Sequence, residues 1–126
     1  MIPHDEMVDY YSKIDLYICM SKIEGTPNPV LESMACGVPI ITTDVGIVKE
    51  VFGDKQKKYI LEERTKECLK EKIKYFINNL DDIKLLQQES ACQIQDWQWK
   101  NISVKMKKFF DNALKTYGDR LNNDKE

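Results

Sequence analysis

The stretch DLYICMSKIEGTPNPVLESMACGVPIITT, residues 15–43, decides the fold. Behind Asp15, Leu16-Tyr17-Ile18-Cys19-Met20 is a short uncharged run of the kind that fills a buried strand of a parallel sheet. Ser21 through Asn28 is rich in Gly and Pro and reads as loop. Pro29 to Ala35 reads as a helix, with Asn28 able to cap it, Pro29 suited to its first position and Gly37 able to end it in a left-handed conformation. Val38-Pro39-Ile40-Ile41-Thr42-Thr43 follows as a second strand, β-branched and uncharged.

Outward from that stretch the alternation continues. Residues 5–13 suggest a short helix with acids in its first turn and Lys13 near its end. After an Asp44-Val45-Gly46 turn, Ile47 to Phe52 suggests another, ended by Gly53, and Lys58-Tyr59-Ile60-Leu61 a third strand. Helices alternating with strands over short connections define an α/β fold: a partial Rossmann-like parallel sheet of about three strands with flanking helices. Beyond residue 64 the period becomes helical. Leu69, Ile73, Phe76 and Leu80 share one face, Ile83, Leu86 and Ile94 suggest a second helix, and Ile102, Met106, Phe109, Ala113 and Tyr117 a third. Trp97 and Trp99 read as anchors that pin the last helix. The expected organisation is a half-domain over residues 1–63, C-terminal helices over 64–117 packed on it, and a frayed polar tail over 118–126.

A chain of 126 residues suits one hydrophobic core. With 42% hydrophobic and 32% charged residues, and only 5 Gly, 4 Pro and 4 Cys, it is neither disordered, collagen-like nor a disulfide-stapled miniature. No apolar run approaches the roughly 20 residues that span a bilayer, and no secretory leader is recognisable, so a soluble, cytoplasmic protein is expected. The net charge of −2 argues against nucleic acid as a partner. Charge is uneven: residues 1–63 hold 6 basic and 11 acidic side chains, net −5, and residues 64–126 hold 13 and 10, net +3. The surplus, at Lys100, Lys105, Lys107 and Lys108, reads as a solvated helix face, with a contact to the inner membrane surface or an anionic acceptor as the alternative. Cys19, Cys36, Cys68 and Cys92 form no C-x-x-C pair and His4 is the only histidine, so no metal site is expected and the cysteines read as reduced core fillers.

Chemistry concentrates in Glu24-Gly25-Thr26-Pro27-Asn28-Pro29-Val30-Leu31-Glu32. A loop between a strand and a helix of a parallel sheet lies at the carboxyl edge, where open α/β folds bind ligands. Gly25 lets a ligand approach the backbone. The helix start presents N–H groups and a positive dipole end to a phosphate; because Pro27 and Pro29 lack N–H, the expected donors are Thr26, Asn28, Val30 and Leu31. Glu24 on the loop and Glu32 in the first helical turn bracket these donors, and a carboxylate matches a pair of adjacent sugar hydroxyls. Acid beside a phosphate site fits phosphate joined to sugars, that is, a nucleotide diphosphate sugar. The plainer alternative stays open: the helix dipole favours Glu32 without any ligand, and Glu24 on a polar loop needs no explanation.

From Tyr10 to Phe52 the sequence resembles the carboxyl-terminal domain of GT-B glycosyltransferases, specifically glycosyltransferase family 4. The matching features are Tyr11, the Asp15-led strand, Ser21, the E-x7-E pair Glu24 and Glu32, Met34-Ala35-Cys36-Gly37-Val38-Pro39, and Gly46 with Glu50. Trp99 ahead of a final amphipathic helix matches more weakly. The resemblance implies a retaining transferase that moves a sugar from a nucleotide sugar to a glycan or lipid-linked acceptor, with no cofactor and no obligatory metal. Glu24 would be catalytic, contacting the donor sugar and stabilising an oxocarbenium-like transition state, and Glu32 would hold the ribose hydroxyls. It also implies an amino-terminal acceptor domain and further donor-domain strands outside these 126 residues. The chain alone is then expected to be catalytically incomplete and to leave a sheet edge for a partner chain or a second copy. A non-catalytic nucleotide-sugar-binding or interaction module on the same scaffold is the competing reading. Receivers and hydrolases are disfavoured, since neither clustered strand-end acids with a partner Lys nor a G-x-S-x-G elbow occurs.

Overall fold

Three short strands lie side by side in the order β1-β2-β3, all parallel. They are β1 (Tyr17–Cys19), β2 (Ile40–Thr43) and β3 (Ile60–Leu61). The structure, a computed structural model, describes residues 2–123 and the side chains of residues 2–117. Tyr17, Ile18 and Cys19 pair with Ile40, Ile41 and Thr42, and Thr42 and Thr43 pair in turn with Ile60 and Leu61. Parallel neighbours need crossover connections. Helix α1 (Met7–Tyr11) precedes β1, α2 (Asn28–Ala35) joins β1 to β2, and α3 (Val48–Val51) and α4 (Asp54–Lys57) join β2 to β3. All four residues of β2 are buried, as a central strand covered on both faces must be. The fold class is the α/β parallel arrangement that the alternating pattern implied.

Local differences have physical causes. Pro27, not Asn28, stands at the cap position of α2, with no side-chain capping bond, so Asn28 and Pro29 are the first two helical residues. A proline there sacrifices nothing, since first-turn N–H groups lack intrahelical partners. Gly37 does end the helix at φ +70°. A Cβ there would meet only Gln87 at 3.9 Å, so backbone conformation rather than space calls for glycine. Gly53 is extended (φ −74°, ψ 174°) and caps α4, a helix the sequence pattern did not announce. Its support comes from far along the chain. Glu89 accepts hydrogen bonds from the N–H groups of Lys55 (3.0 Å) and Gln56 (2.8 Å), and a Cβ on Gly53 would fall 2.3 Å from that carboxylate carbon.

Thr65 caps α5 (Lys66–Asn78) by accepting from the Cys68 N–H at 3.2 Å. Then comes α6 (Ile83–Gln93). Phe76 and Leu86 from these helices bury against Ile41, Tyr59 and Leu61, with Leu69 and Ile73 packed around them. Residues 1–94 therefore form one compact unit and 95–126 a second. The division falls at 94/95, because α5 and α6 close the core of the sheet unit. The second unit is dominated by α7 (Trp99–Asn123), which continues through 118–123 where fraying was expected; residues 124–126 of that tail lie outside the described residues. Within the second unit Trp99 is 83% exposed and Trp97 half-buried. All four cysteines are free, but none is a buried core filler. Cys19 lies on an outer strand, Cys36 and Cys68 are partly covered, and Cys92 is exposed on α6.

The core assignment predicts a sharp contrast. Leu86→Ala should lower stability by about 2–5 kcal/mol, the cost of a buried cavity. Trp99→Ala should stay within about 0.5 kcal/mol of the parent, as surface changes do. Urea unfolding midpoints at constant m-value would check both.

Candidate functional site

The carboxyl ends of three parallel strands share one rim, and the loop after β1 is tied to it through Ser21. The Ser21 carbonyl accepts from the Thr43 hydroxyl at the end of β2 (2.6 Å), and Ser21 Oγ donates to Glu24 Oε1 (2.7 Å). The Cys19 thiol adds a weak bond to Ser21 Oγ at 3.6 Å. Since Thr43 is buried in the sheet, this chain of contacts carries the rigidity of β2 out to an exposed carboxylate. One oxygen of Glu24 is held, and the side chain stands in solvent.

Glu32 is held separately. The buried Tyr11 hydroxyl donates to Glu32 Oε2 at 3.0 Å. Burial pushes the Tyr11 phenol well above its ordinary 10.0, and the hydrogen bond to Glu32 adds to the shift. Burial also raises the Tyr17 phenol and, with Glu32 nearby, the Cys36 thiol. Because α2 is capped at Pro27, Glu32 lies in the second helical turn, not the first as expected. The dipole falls off within the first turn, so it no longer accounts for an acid at this position.

The backbone donors are redistributed as well. Asn28 N–H donates to the Thr26 carbonyl (2.9 Å), and Val30 and Leu31 N–H both donate to the Pro27 carbonyl (2.9 and 3.3 Å). Three of the four expected donors are thus consumed by the turn that starts α2. The N–H groups of Gly25 and Thr26 make no hydrogen bond among the described residues, so the loop, rather than the helix start, presents open donors. A Cβ on Gly25 would meet nothing within 4 Å. Gly46 is different. At φ +52° it presses on this loop so closely that a Cβ would fall 2.0 Å from the Gly25 carbonyl oxygen.

Beside the loop, a crevice of about 220 Å³ opens at the strand ends, lined by Ser21, Lys22, Thr43, Asp44, Glu62 and Arg64. No basic residue in the first 63 stands in a recognisable phosphate motif, yet topology brings Lys22 and Arg64 to one rim. Neither is ion-paired among the described residues. A larger recess of about 520 Å³ beside β3 is lysine-rich, lined by Lys49, Lys57, Lys58 and Lys72, but all of these except Lys58 are occupied. Lys49 pairs with Asp44, Lys57 with Asp54 at 3.7 Å, and Lys72 donates to the Lys58 carbonyl at 2.7 Å. Among the described residues no group of three or more His, Cys, Asp or Glu is placed to hold a metal ion, and no helix is long and apolar enough to cross a membrane.

The parallel sheet with its flanking helices superposes on a solved GT-B glycosyltransferase. Sucrose-phosphate synthase from Thermosynechococcus elongatus matches with a TM-score of 0.76 at 20% identity, over 92% of this chain and 29% of that one. The chain belongs to the glycosyl transferases group 1 family, whose model matches residues 1–90. Among relatives, TuaC of Bacillus subtilis (strain 168), a glycosyltransferase named for teichuronic acid biosynthesis, is 42% identical over 55 residues, covering 44% of this chain and 14% of TuaC. An uncharacterized glycosyltransferase of Methanocaldococcus jannaschii is 28% identical over 107 residues, covering 85% of this chain and 30% of its own. The lipopolysaccharide core biosynthesis mannosyltransferase LpsB of Rhizobium meliloti is 40% identical over 48 residues, covering 38% of this chain and 14% of LpsB. The chain spans less than a third of the length of each.

Two predictions follow from the loop geometry. Gly46→Ala should cost about 1–3 kcal/mol, combining a left-handed backbone with a clash against peptide atoms, whereas Gly25→Ala should unfold within about 0.5 kcal/mol of the parent; thermal melts distinguish them. Separately, the folded protein holds the Tyr11 proton more tightly than the unfolded chain does. Stability from this group is therefore complete below about pH 10 and falls as pH rises beyond it. Denaturation followed from about pH 9 upward should show a shallower fall in Tyr11→Phe.

Proposed function

We propose that this chain forms the donor-binding part of a retaining glycosyltransferase of family 4 type. It would act on a nucleotide diphosphate sugar and pass the sugar to a glycan or lipid-linked acceptor. One observation carries the reading. Glu24 and Glu32 each have one oxygen fixed by an internal hydroxyl, and they flank a loop whose Gly25 and Thr26 N–H groups are open. Carboxylates accept from sugar hydroxyls and N–H groups donate to phosphate oxygens. Glu32 takes the ribose diol. Glu24 contacts the transferred sugar and stabilises positive charge developing at its anomeric carbon, as a preorganised group does best. The anomeric C–O bond to the diphosphate breaks, and the acceptor oxygen bonds to the same face. The acceptor proton passes to the departing diphosphate oxygen. No metal takes part; Lys22 and Arg64 supply positive charge on the same rim.

Relatives named for lipopolysaccharide core and O-antigen synthesis support a cell-envelope glycan as acceptor, and with it a peripheral position at the inner membrane surface. The short share of each relative supports a site completed by further protein, so that the isolated 126 residues bind donor without turning it over. A partner chain or second copy then covers the outer edge of β1, where Ile18 is 39% exposed. The second reading, a nucleotide-sugar-binding module without catalysis, is favoured by the same short share.

Calorimetric titration with UDP, GDP and ADP sugars tests the proposal. One donor should bind, Glu32→Ala should weaken it by roughly ten- to a hundredfold, the worth of hydrogen bonds to a charged group, and Glu24→Ala should weaken the nucleotide sugar more than the bare nucleoside diphosphate. EDTA should change nothing. Absence of binding by any donor would rule the reading out. Turnover by the isolated chain would refute its incompleteness.

A further inference from the structure

We propose that Tyr11 is the positioning residue that gives the site its selectivity for ribose over deoxyribose. The inference rests on Glu32 being the acceptor for the ribose diol, and it is carried by a contact between segments that are remote in sequence. Tyr11 lies on α1, outside the loop and outside α2, and is 2% exposed. Its ring is clamped by edge contacts to Tyr10 and Tyr17, with centroids 5.5 and 6.1 Å away. A ring fixed in this way holds its hydroxyl beside Glu32, to whose Oε2 it donates at 3.0 Å, with the Ser33 hydroxyl also within its reach. The neighbouring Ser33 Oγ donates its own proton to the Pro29 carbonyl at 2.7 Å, so it does not donate to Glu32.

The consequence is orientational. A glutamate on a helix surface samples many rotamers, and ordering it on ligand binding costs affinity. Tyr11 orders it beforehand. Each carboxylate oxygen has two lone pairs, so Oε2 can accept from the tyrosine and still accept from a ligand, with Oε1 wholly open. Two acceptor sites at fixed spacing suit two adjacent hydroxyls and gain much less from one. Tyr11 therefore acts through Glu32 and touches no sugar itself. Its removal should erase discrimination more than affinity.

The test uses the full chain with UDP, GDP and ADP and their 2′-deoxy counterparts, titrated into wild type, Tyr11→Phe, Glu32→Ala and the double variant. Tyr11→Phe keeps the buried ring. It should weaken the preferred ribonucleotide by roughly tenfold, the scale of one hydrogen bond to a charged group, and leave the deoxynucleotide within about twofold. In the Glu32→Ala background it should change nothing further. Equal weakening of ribo and deoxy forms, or an equal effect with Glu32 absent, would overturn the inference and leave Tyr11 a packing residue only. If wild type binds none of the diphosphates, or if Glu32→Ala leaves ribonucleotide affinity unchanged, the reading of Glu32 falls and the inference falls with it. Should Tyr11→Phe not fold, Tyr11→Met, which also lacks the hydroxyl and leaves Glu32 intact, replaces it in both backgrounds. The same ribose-selective loss is then expected, and an unselective loss overturns the inference.

Discussion

The burial of β2 on both faces is the constraint from which the rest follows. A strand whose four residues are all covered can neither slide nor flip, because a shift of one residue would exchange its two faces. Its register with β1 brings Cys19 opposite Thr42, and just beyond, Thr43 one residue on and Ser21 two residues on meet through a hydroxyl-to-carbonyl bond. The loop that bears Glu24 thus starts from a point fixed by core packing rather than from a free strand end. The same strand binds α4 from below, since Gln56 donates to the Ile40 carbonyl from a fully buried position.

Rigidity reaches the two carboxylates by different routes. Glu24 is reached through the backbone: sheet, Thr43, Ser21, then a side-chain bond. Glu32 is reached through a side chain from another helix altogether. Gly46 closes the arrangement from the third side by pressing on the Gly25 carbonyl. None of these contacts is strong alone, since an intramolecular hydrogen bond contributes on the order of 1 kcal/mol net. Their effect is geometric. They fix the directions of two acceptors on opposite flanks of a proline-rich turn, and the turn itself withdraws the Asn28, Val30 and Leu31 donors from outside use.

Much of this architecture was legible in the residues and some was not, for identifiable reasons. The three strands and the long helices announced themselves because β-branched runs and 3.6-residue periodicity are local signals. Helix α4 did not, because Asp54-Lys55-Gln56-Lys57 has no apolar repeat and owes its start to Glu89. The loop from Glu24 to Glu32 was legible as a rim segment from strand–loop–helix order. Which of its N–H groups stay open was not, because that depends on Pro27 taking the cap position. The partnership of Tyr11 with Glu32, and the meeting of Lys22 with Arg64 at one crevice, exist only once the chain is folded back on itself; spacing holds no trace of either.

The contact of Gly53 with Glu89 bears on how this sequence can drift. Any side chain at 53 collides with the carboxylate at 89, and loss of that carboxylate strips α4 of its two N-terminal acceptors. The two positions are therefore coupled: a side chain at 53 pushes the Glu89 carboxylate aside and takes from α4 the hydrogen bonds to Lys55 and Gln56. A change at either position is thereby felt at the other, thirty-six residues away.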